Sequence, residues 1–191
     1  MSSTSSSASK WLRRWPQALV AGGTALDLAC GSGRHVRHLA AAGMQVTGVD
    51  IDAAATDGLE SCAEIITADI ESGPWPLAGR QFDLVLVTNY LWRPLIPLIT
   101  AAVAPGGWLI YETFAQGQQS IGRPARPEFL LQPGELLDAC MALRVVAFED
   151  GFELMAVNPR FVQRVAAVRD LHDGVFQRYA LDRTEAISDA E

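Results

Sequence analysis

Three acids and a pair of glycines are the residues whose spacing suggests chemistry. Asp27 lies four residues before Gly31 in the stretch LDLACGSGRH (Leu26–His35), Asp50 closes MQVTGVD, and Asp69 closes AEIITAD. Asp50 and Asp69 each end an apolar run, where a strand would hand the chain to a loop, and Asp27 lies within the strand that leads into the glycines. Glycines let the backbone turn sharply and approach a ligand closely. A helix opening just after them offers free N–H groups and the positive end of its dipole. The spacing is not that of a phosphate loop. The dinucleotide fingerprint needs a third small residue where Val36 stands, and the Gly-Lys-Ser/Thr of a P-loop is absent. A carboxylate at position 27 would repel a pyrophosphate and suit a cationic amine. Asp50 could accept from two ribose hydroxyls, and Asp69 from the exocyclic amine of a purine.

The elements that must position these acids alternate. TALDLA, MQVTGVD, AEIITAD, FDLVLVTN and WLIYETF read as five strands, and GRHVRHLAAAG reads as a helix with Val36, Leu39 and Ala40 at helical spacing. AAATDGLESC predicts a short helix, RPLIPLITAAVAPGG a helix with prolines near its start, and PGELLDACMA another. LRVVAFED and RFVQRVAAVRD predict two last strands joined by a turn near Asn158-Pro159. That connection is too short for a helical crossover, so one strand must run antiparallel. The expected fold is α/β: a Rossmann-like, doubly wound, mostly parallel seven-stranded sheet, one antiparallel strand near the C-terminus, helices on both faces. Ala115–Gln132, rich in Gly, Gln, Arg and Pro, is long enough to predict a lid or binding loop. WLRRWPQALV predicts a short amphipathic helix with Trp11 and Trp15 on one face.

Composition bounds the function. The 191 residues are 49% hydrophobic and 19% charged, enough for a sizeable core in one domain, read as residues 11–170. Residues 1–10 read as a serine-rich, disordered leader without the apolar core of a secretory signal peptide, and 171–191 as a polar tail. The net charge of -7, with basic residues scattered, disfavours nucleic acid and points to a small-molecule partner. No apolar run is long enough to span a membrane. Three cysteines without a C-x-x-C disfavour a disulfide framework or cysteine zinc site and suggest a cytoplasmic location. His35 and His38 have a spacing that can hold a metal, but no third ligand is visible, so they read as packing or surface residues and no metal is expected. Cys30 reads as a small packing residue.

A ligand with a cationic amino-acid end, a ribose and an adenine satisfies all three acids; S-adenosylmethionine is such a ligand. LDLACGSGRH, VTGVDID, ITADIESGPWPLAGRQFDLVLVTN and VAPGGWLIYETF together resemble, in order and spacing, the successive motifs of the class I S-adenosylmethionine-dependent methyltransferases. The resemblance covers roughly residues 24–114 and is strongest to small bacterial enzymes of the tellurite-resistance type, which share the DLACGSGRH form. It implies that Asp27 and the backbone of Ala29 to Gly33, through Gly31 and Ser32, hold the methionine end. It implies that Asp50 binds the ribose, Ile51 packs on adenine, and Asp69 and the Ile70 backbone meet the adenine edge. Thr88 and Asn89 would close over the methionine part, with Tyr90 and Trp92 facing the transferred methyl and the acceptor.

The chain departs from families that methylate base amines. Where those carry Asn/Asp-Pro-Pro-Tyr, it has TNYLW, which disfavours transfer to DNA or RNA bases. Methyl transfer from a sulfonium needs alignment and water exclusion more than a base. Tyr90, Trp92 and Glu112 are the catalytic candidates, with Tyr111 and His35 also near the expected cleft; the sequence singles out none of them as a base. Arg123 and Arg126 in the long loop could bind an anionic acceptor. Two alternatives stay open: a protein that binds S-adenosylmethionine without catalysis, and a nicotinamide-dependent oxidoreductase, against which Asp27 and Val36 speak.

Overall fold

A computed structural model describes residues 7–154, 158–171 and 177–181. Strands form where apolar residues run unbroken or alternate: β1 (Thr24–Leu28), β2 (Gln45–Asp50), β3 (Glu64–Thr67), β4 (Phe82–Thr88), β5 (Val103–Phe114), β6 (Arg144–Glu153) and β7 (Arg160–Val168). They make one sheet in the order β3-β2-β1-β4-β5-β7-β6. The first five are parallel, and β7 runs antiparallel to both β5 and β6. The fold is therefore the expected Rossmann-like sheet. Strand order reverses between β1 and β4, so the ligand crevice opens above their carboxyl ends.

The helices are shorter than their patterns suggest: α1 (Lys10–Arg13), α2 (Arg34–Ala41), α3 (Ile96–Ala101) and α4 (Glu135–Ala139). Pro16 breaks the first pattern, and the chain continues as a 3₁₀ turn over Pro16–Ala18. Residues 53–62 form turns and a single 3₁₀ turn, Leu59–Ser61, instead of the expected helix. The Asp52 carboxylate accepts from the Ala54 and Ala55 amides, and Gly58 sits at φ 78°, so local side-chain bonding and a left-handed residue win over helix. The strand expected at WLIYETF begins earlier, at Val103. The register jumps between the Phe82–Val103 and Leu84–Trp108 pairs, which leaves the Ala104–Gly107 segment bulged outward.

Side chains alternate across the sheet, and each face carries one core. Leu26, Leu28, Val85, Val87, Leu109 and Tyr111 pack on one side with Ile99 and Leu136 from α3 and α4. Ala25, Leu84, Leu86, Trp108 and Ile110 pack on the other with Trp11, Leu12 and Trp15, and with Val36 and Leu39 from α2. The Trp11 and Trp15 rings meet edge-on at 5.4 Å, and Trp15 lies 5.9 Å from Trp108. Each buried indole removes on the order of 200 Å² from water, about 5 kcal/mol as an upper estimate.

At the chain ends the expected boundaries move. Ala8 and Ser9 are buried, and the Ser9 hydroxyl accepts from the Leu12 amide to cap α1, so the packed chain begins before the leader was expected to end. Residues 1–6 of that leader lie outside the described residues, as do 155–157 of the last turn and most of the 171–191 tail. Within the tail, Tyr179 sets its ring edge-on to Trp108 at 5.3 Å, and Gln17 Nε2 donates to the Ala180 carbonyl.

Candidate functional site

Alternation places Asp27, Asp50, Thr88 and Glu112 on the sheet face that carries α1 and α2, at the carboxyl ends of four adjacent strands. Asp27 is fully buried; the Val36 amide eases its charge, but neither carboxylate oxygen has a well-formed hydrogen-bond partner. Burial pushes its carboxyl up to about 7, against the opposing charge of Arg34. A buried carboxylate so weakly partnered is costly, so this position fits a cationic group that brings its own N–H donors.

The glycine turn is tied to β2. The Gly31 amide donates to Asp50 Oδ2 at 2.7 Å, and Asp50 Oδ1 accepts from the Asp52 amide at 2.9 Å. A carboxylate has about four acceptor positions, so about two remain on Asp50 for hydroxyl donors. Gly33 sits at φ 72°, and a Cβ there would run into the Leu59 side chain. Gly31, at φ 51°, has open space on that side. Beside Asp50, Ile51 is 64% exposed, an apolar side chain offered to whatever lies over the strand end. Asp69 is exposed, and its Oδ1 accepts from the Ser72 and Glu71 amides, which hold its carboxyl below the usual range. Ile70 beside it is buried.

Two non-glycine residues stand in left-handed backbone at the crevice, Ala29 after β1 (φ 54°) and Asn89 after β4 (φ 55°). Such strain gathers at ligand sites. Between them, His35 joins two elements. The Ser9 amide donates to His35 Nε2 at 3.2 Å, so the ring proton resides on Nδ1, which faces Thr88 Oγ1 at 3.4 Å. Burial lowers its pKa to about 3, which keeps the ring neutral.

Beyond β4 and β5 opens a cleft of about 300 Å³, lined by Asn89, Tyr90, Leu91, Thr113 and Phe114, with Pro124 and Phe129 from the long loop and Glu71 at its edge. The Tyr90 hydroxyl is buried beside Glu71; burial, then the charge and hydrogen bonding of the Glu71 carboxylate, raise its pKa.

Residues 25–107 match the family model described as a methyltransferase domain. Solved structures share the chain's fold at low identity. TehB from Haemophilus influenzae superposes with a TM-score of 0.65 at 17% identity, covering 79% of this chain and 59% of that one, so this chain spans under two thirds of TehB. A SAM-dependent methyltransferase from Methanosarcina mazei gives 0.66 at 17% identity, over 86% and 99% of the two chains. Magnesium protoporphyrin IX methyltransferase from Synechocystis, solved with bound SAH, gives 0.62 at 17% identity, over 84% and 78%. No curated protein sequence matches the chain.

Several charged residues that the sequence does not single out hold the fold together around the site. The Arg93 guanidinium grips Glu135 through Nε (2.6 Å) and one terminal nitrogen (2.9 Å), and also donates to the Glu128 and Leu130 carbonyls. It clasps the far end of the 115–132 loop to α4. The loop's two ends also meet, since the Gln116 amide donates to the Leu131 carbonyl and the Leu131 amide to Phe114. Gln118, buried, accepts from the Phe161 amide and donates to the Arg123 carbonyl. Arg93→Ala will cost about 1–2 kcal/mol, the partial exposure of the pair keeping it modest, and will speed limited proteolysis between 115 and 132. Proteolysis at the wild-type rate would show that the clasp does not hold the loop.

The structure separates the candidates that the sequence left together. Glu112 points to the face opposite Thr113, where Oε2 lies 3.1 Å from Arg164 and 3.4 Å from Arg160. Arg160 also binds Glu153 and donates to Asn89 Oδ1. Arg123 and Arg126 are exposed and do not line the cleft; Arg126 lies 4.0 Å from Glu128. Trp92 is half-buried against the core beside the cleft. Tyr111 is buried and donates its hydroxyl to the Tyr90 carbonyl. Among the described residues no cluster of three His, Cys, Asp or Glu side chains could hold a metal. Nothing in the local sequence marked Arg93, Arg160 or Arg164, because their partners lie on strands and loops set beside them only by the fold.

Proposed function

We propose that this chain is an S-adenosylmethionine-dependent methyltransferase acting on a small-molecule acceptor. The observation that carries this reading is Asp27: a fully buried carboxylate without a well-formed hydrogen bond to either oxygen, at the end of β1 and within the stretch that is similar to the methyltransferase-domain family. When bound, S-adenosylmethionine supplies a methyl group on a sulfonium whose departure leaves a neutral thioether.

The chain's own residues bind, orient and exclude water. Asp27 faces the ammonium of the methionine end, and the turn from Ala29 through Gly31 and Ser32 to Gly33 supplies backbone donors. Asp50 fixes that turn through the Gly31 amide while its remaining acceptor positions take the ribose hydroxyls. Ile51 covers one adenine face. Asp69 accepts from the adenine amine, and the Ile70 backbone meets a ring nitrogen. Thr88 and Asn89 close the methionine end, Thr88 held by His35 and Asn89 by Arg160. Tyr90 lies where the cleft meets Asn89, so the acceptor is seated next to the methyl group. Alignment and water exclusion are the main contributions such a site makes. Glu112, turned away and engaged by two arginines, has no part in the chemical step. The three described cysteines are free, which supports a cytoplasmic location; no described helix is long and apolar enough to cross a membrane.

Titration calorimetry tests the assignment: S-adenosylmethionine and S-adenosylhomocysteine bind in the micromolar range and NAD does not. Binding of NAD alone would overturn it. Asp50→Ala weakens S-adenosylhomocysteine binding by about 1.5–3 kcal/mol, the range for lost bonds to a charged group. An unchanged affinity would remove Asp50 from the ribose site.

A further inference from the structure

The acceptor cleft has a composition that narrows its ligand. Its walls are mainly apolar and aromatic: Tyr90, Leu91, Phe114, Pro124 and Phe129. Its polar groups are the Asn89 amide, the Thr113 hydroxyl and the Tyr90 hydroxyl, and its single charged lining residue is Glu71. The cations nearby are engaged elsewhere. All three Arg160 nitrogens face Glu153, Glu112 or Asn89, and Arg93 is taken by Glu135 and two carbonyls. Arg123 and Arg126, which the sequence offered as anion-binding groups, are exposed and outside the lining. An anionic acceptor would therefore meet a carboxylate and no free guanidinium on the described walls.

Resting on the methyltransferase reading, we propose that the acceptor is a flat, apolar amine, with its nitrogen toward Glu71 and its ring between Tyr90, Phe114 and Phe129. Aromatic walls with a carboxylate at the rim suit an ammonium, whose charge the ring faces also attract. The volume, about 300 Å³, suits a molecule of one or two rings. The buried Tyr90 hydroxyl lies within hydrogen-bonding reach of the Glu71 carboxylate, so the two groups form one polar end of the cleft for the acceptor's nitrogen. In the transfer, the ammonium first gives a proton to solvent at the Glu71 rim. The nitrogen lone pair then forms the N–C bond while the C–S bond breaks, its electron pair staying on sulfur. The product is again a cation, a methylammonium, so the same walls that select the substrate stabilise the charge that develops on it.

The test uses two probes with one ring system and opposite charge, tryptamine and indole-3-acetate, titrated into the full chain saturated with S-adenosylhomocysteine. Tryptamine binds about tenfold tighter, the combined worth of a part-exposed ion pair and a cation–ring contact. Glu71→Gln removes most of that preference and leaves S-adenosylhomocysteine affinity unchanged. Equal or tighter binding of indole-3-acetate, or binding of neither probe, overturns the proposal. The same titrations without S-adenosylhomocysteine keep the two readings apart. A preference for tryptamine that persists when S-adenosylhomocysteine itself fails to bind overturns the cofactor assignment alone.

Discussion

Asp27→Asn will make the ligand-free protein more stable and its ligand weaker. The two effects have one cause. In the folded chain the Asp27 carboxyl is raised to about 7 from an ordinary 3.8, chiefly by burial. Between those two values the native state binds more protons than the unfolded one, so stability falls as pH rises through this window. Above pH 7 the folded chain holds a buried charge, only partly offset by Arg34 and the Val36 amide, that opposes folding by about 4 kcal/mol. Asparagine removes the charge but leaves a buried amide to satisfy, so the net gain at pH 8 is about 2 kcal/mol, or about 4–8 °C in Tm for a chain of this size. Thermal melts from pH 4 to 8 will show the wild-type declining toward high pH and the variant flatter. S-adenosylhomocysteine, by contrast, loses its carboxylate partner and binds about 10- to 150-fold more weakly. Its affinity for the wild-type chain rises with pH up to about 7 as Asp27 ionises, and that slope vanishes in the variant. A variant that binds as tightly as wild-type, whatever its melting curve, would take Asp27 out of the site.

Glu112→Ala will lower stability by about 3 kcal/mol, and the loss will be structural. Glu112 is 1% exposed and sits between Arg164 (12%) and Arg160 (21%). Removing one member of a buried charge cluster leaves its partners uncompensated, the situation in which ion pairs matter most. Glu149 and Glu153 remain beside the arginines and limit the cost to the lower end of the usual range. The expected fall in Tm is about 6–12 °C. Glu112→Gln keeps the shape and an acceptor oxygen, so it falls less and keeps S-adenosylhomocysteine affinity within about threefold, because Asn89 still has Arg160 behind it. The opposite pattern, an unchanged melting curve with methyl transfer abolished in the glutamine variant, would make Glu112 a base and contradict its placement.

The strand ends were legible because strands alternate with period two and because glycine and acid positions follow strand ends in a parallel sheet. TALDL and QVTGVD each carry their acid at the ligand end, and the structure places Asp27 and Asp50 on the same face. The antiparallel last pair followed from the short link between LRVVAFED and RFVQRVAAVRD. Helix lengths were less legible: Pro16 stopped the first pattern, and β5 takes up the chain from Val103, inside the pattern that read as helix to Gly107.

By itself, then, the sequence determined the sheet, the crevice above β1 and β4, and the acids around it, because these depend on local periodicity and on contacts close in the chain. The tertiary structure decided which charges are free. Glu112, Arg93 and the Arg160–Arg164 pair find their partners tens of residues away or across neighbouring strands, and Arg123 and Arg126 end outside the cleft. A charge acts on a ligand only when the fold leaves it unpaired and facing the ligand, and both conditions are set by packing across the sheet.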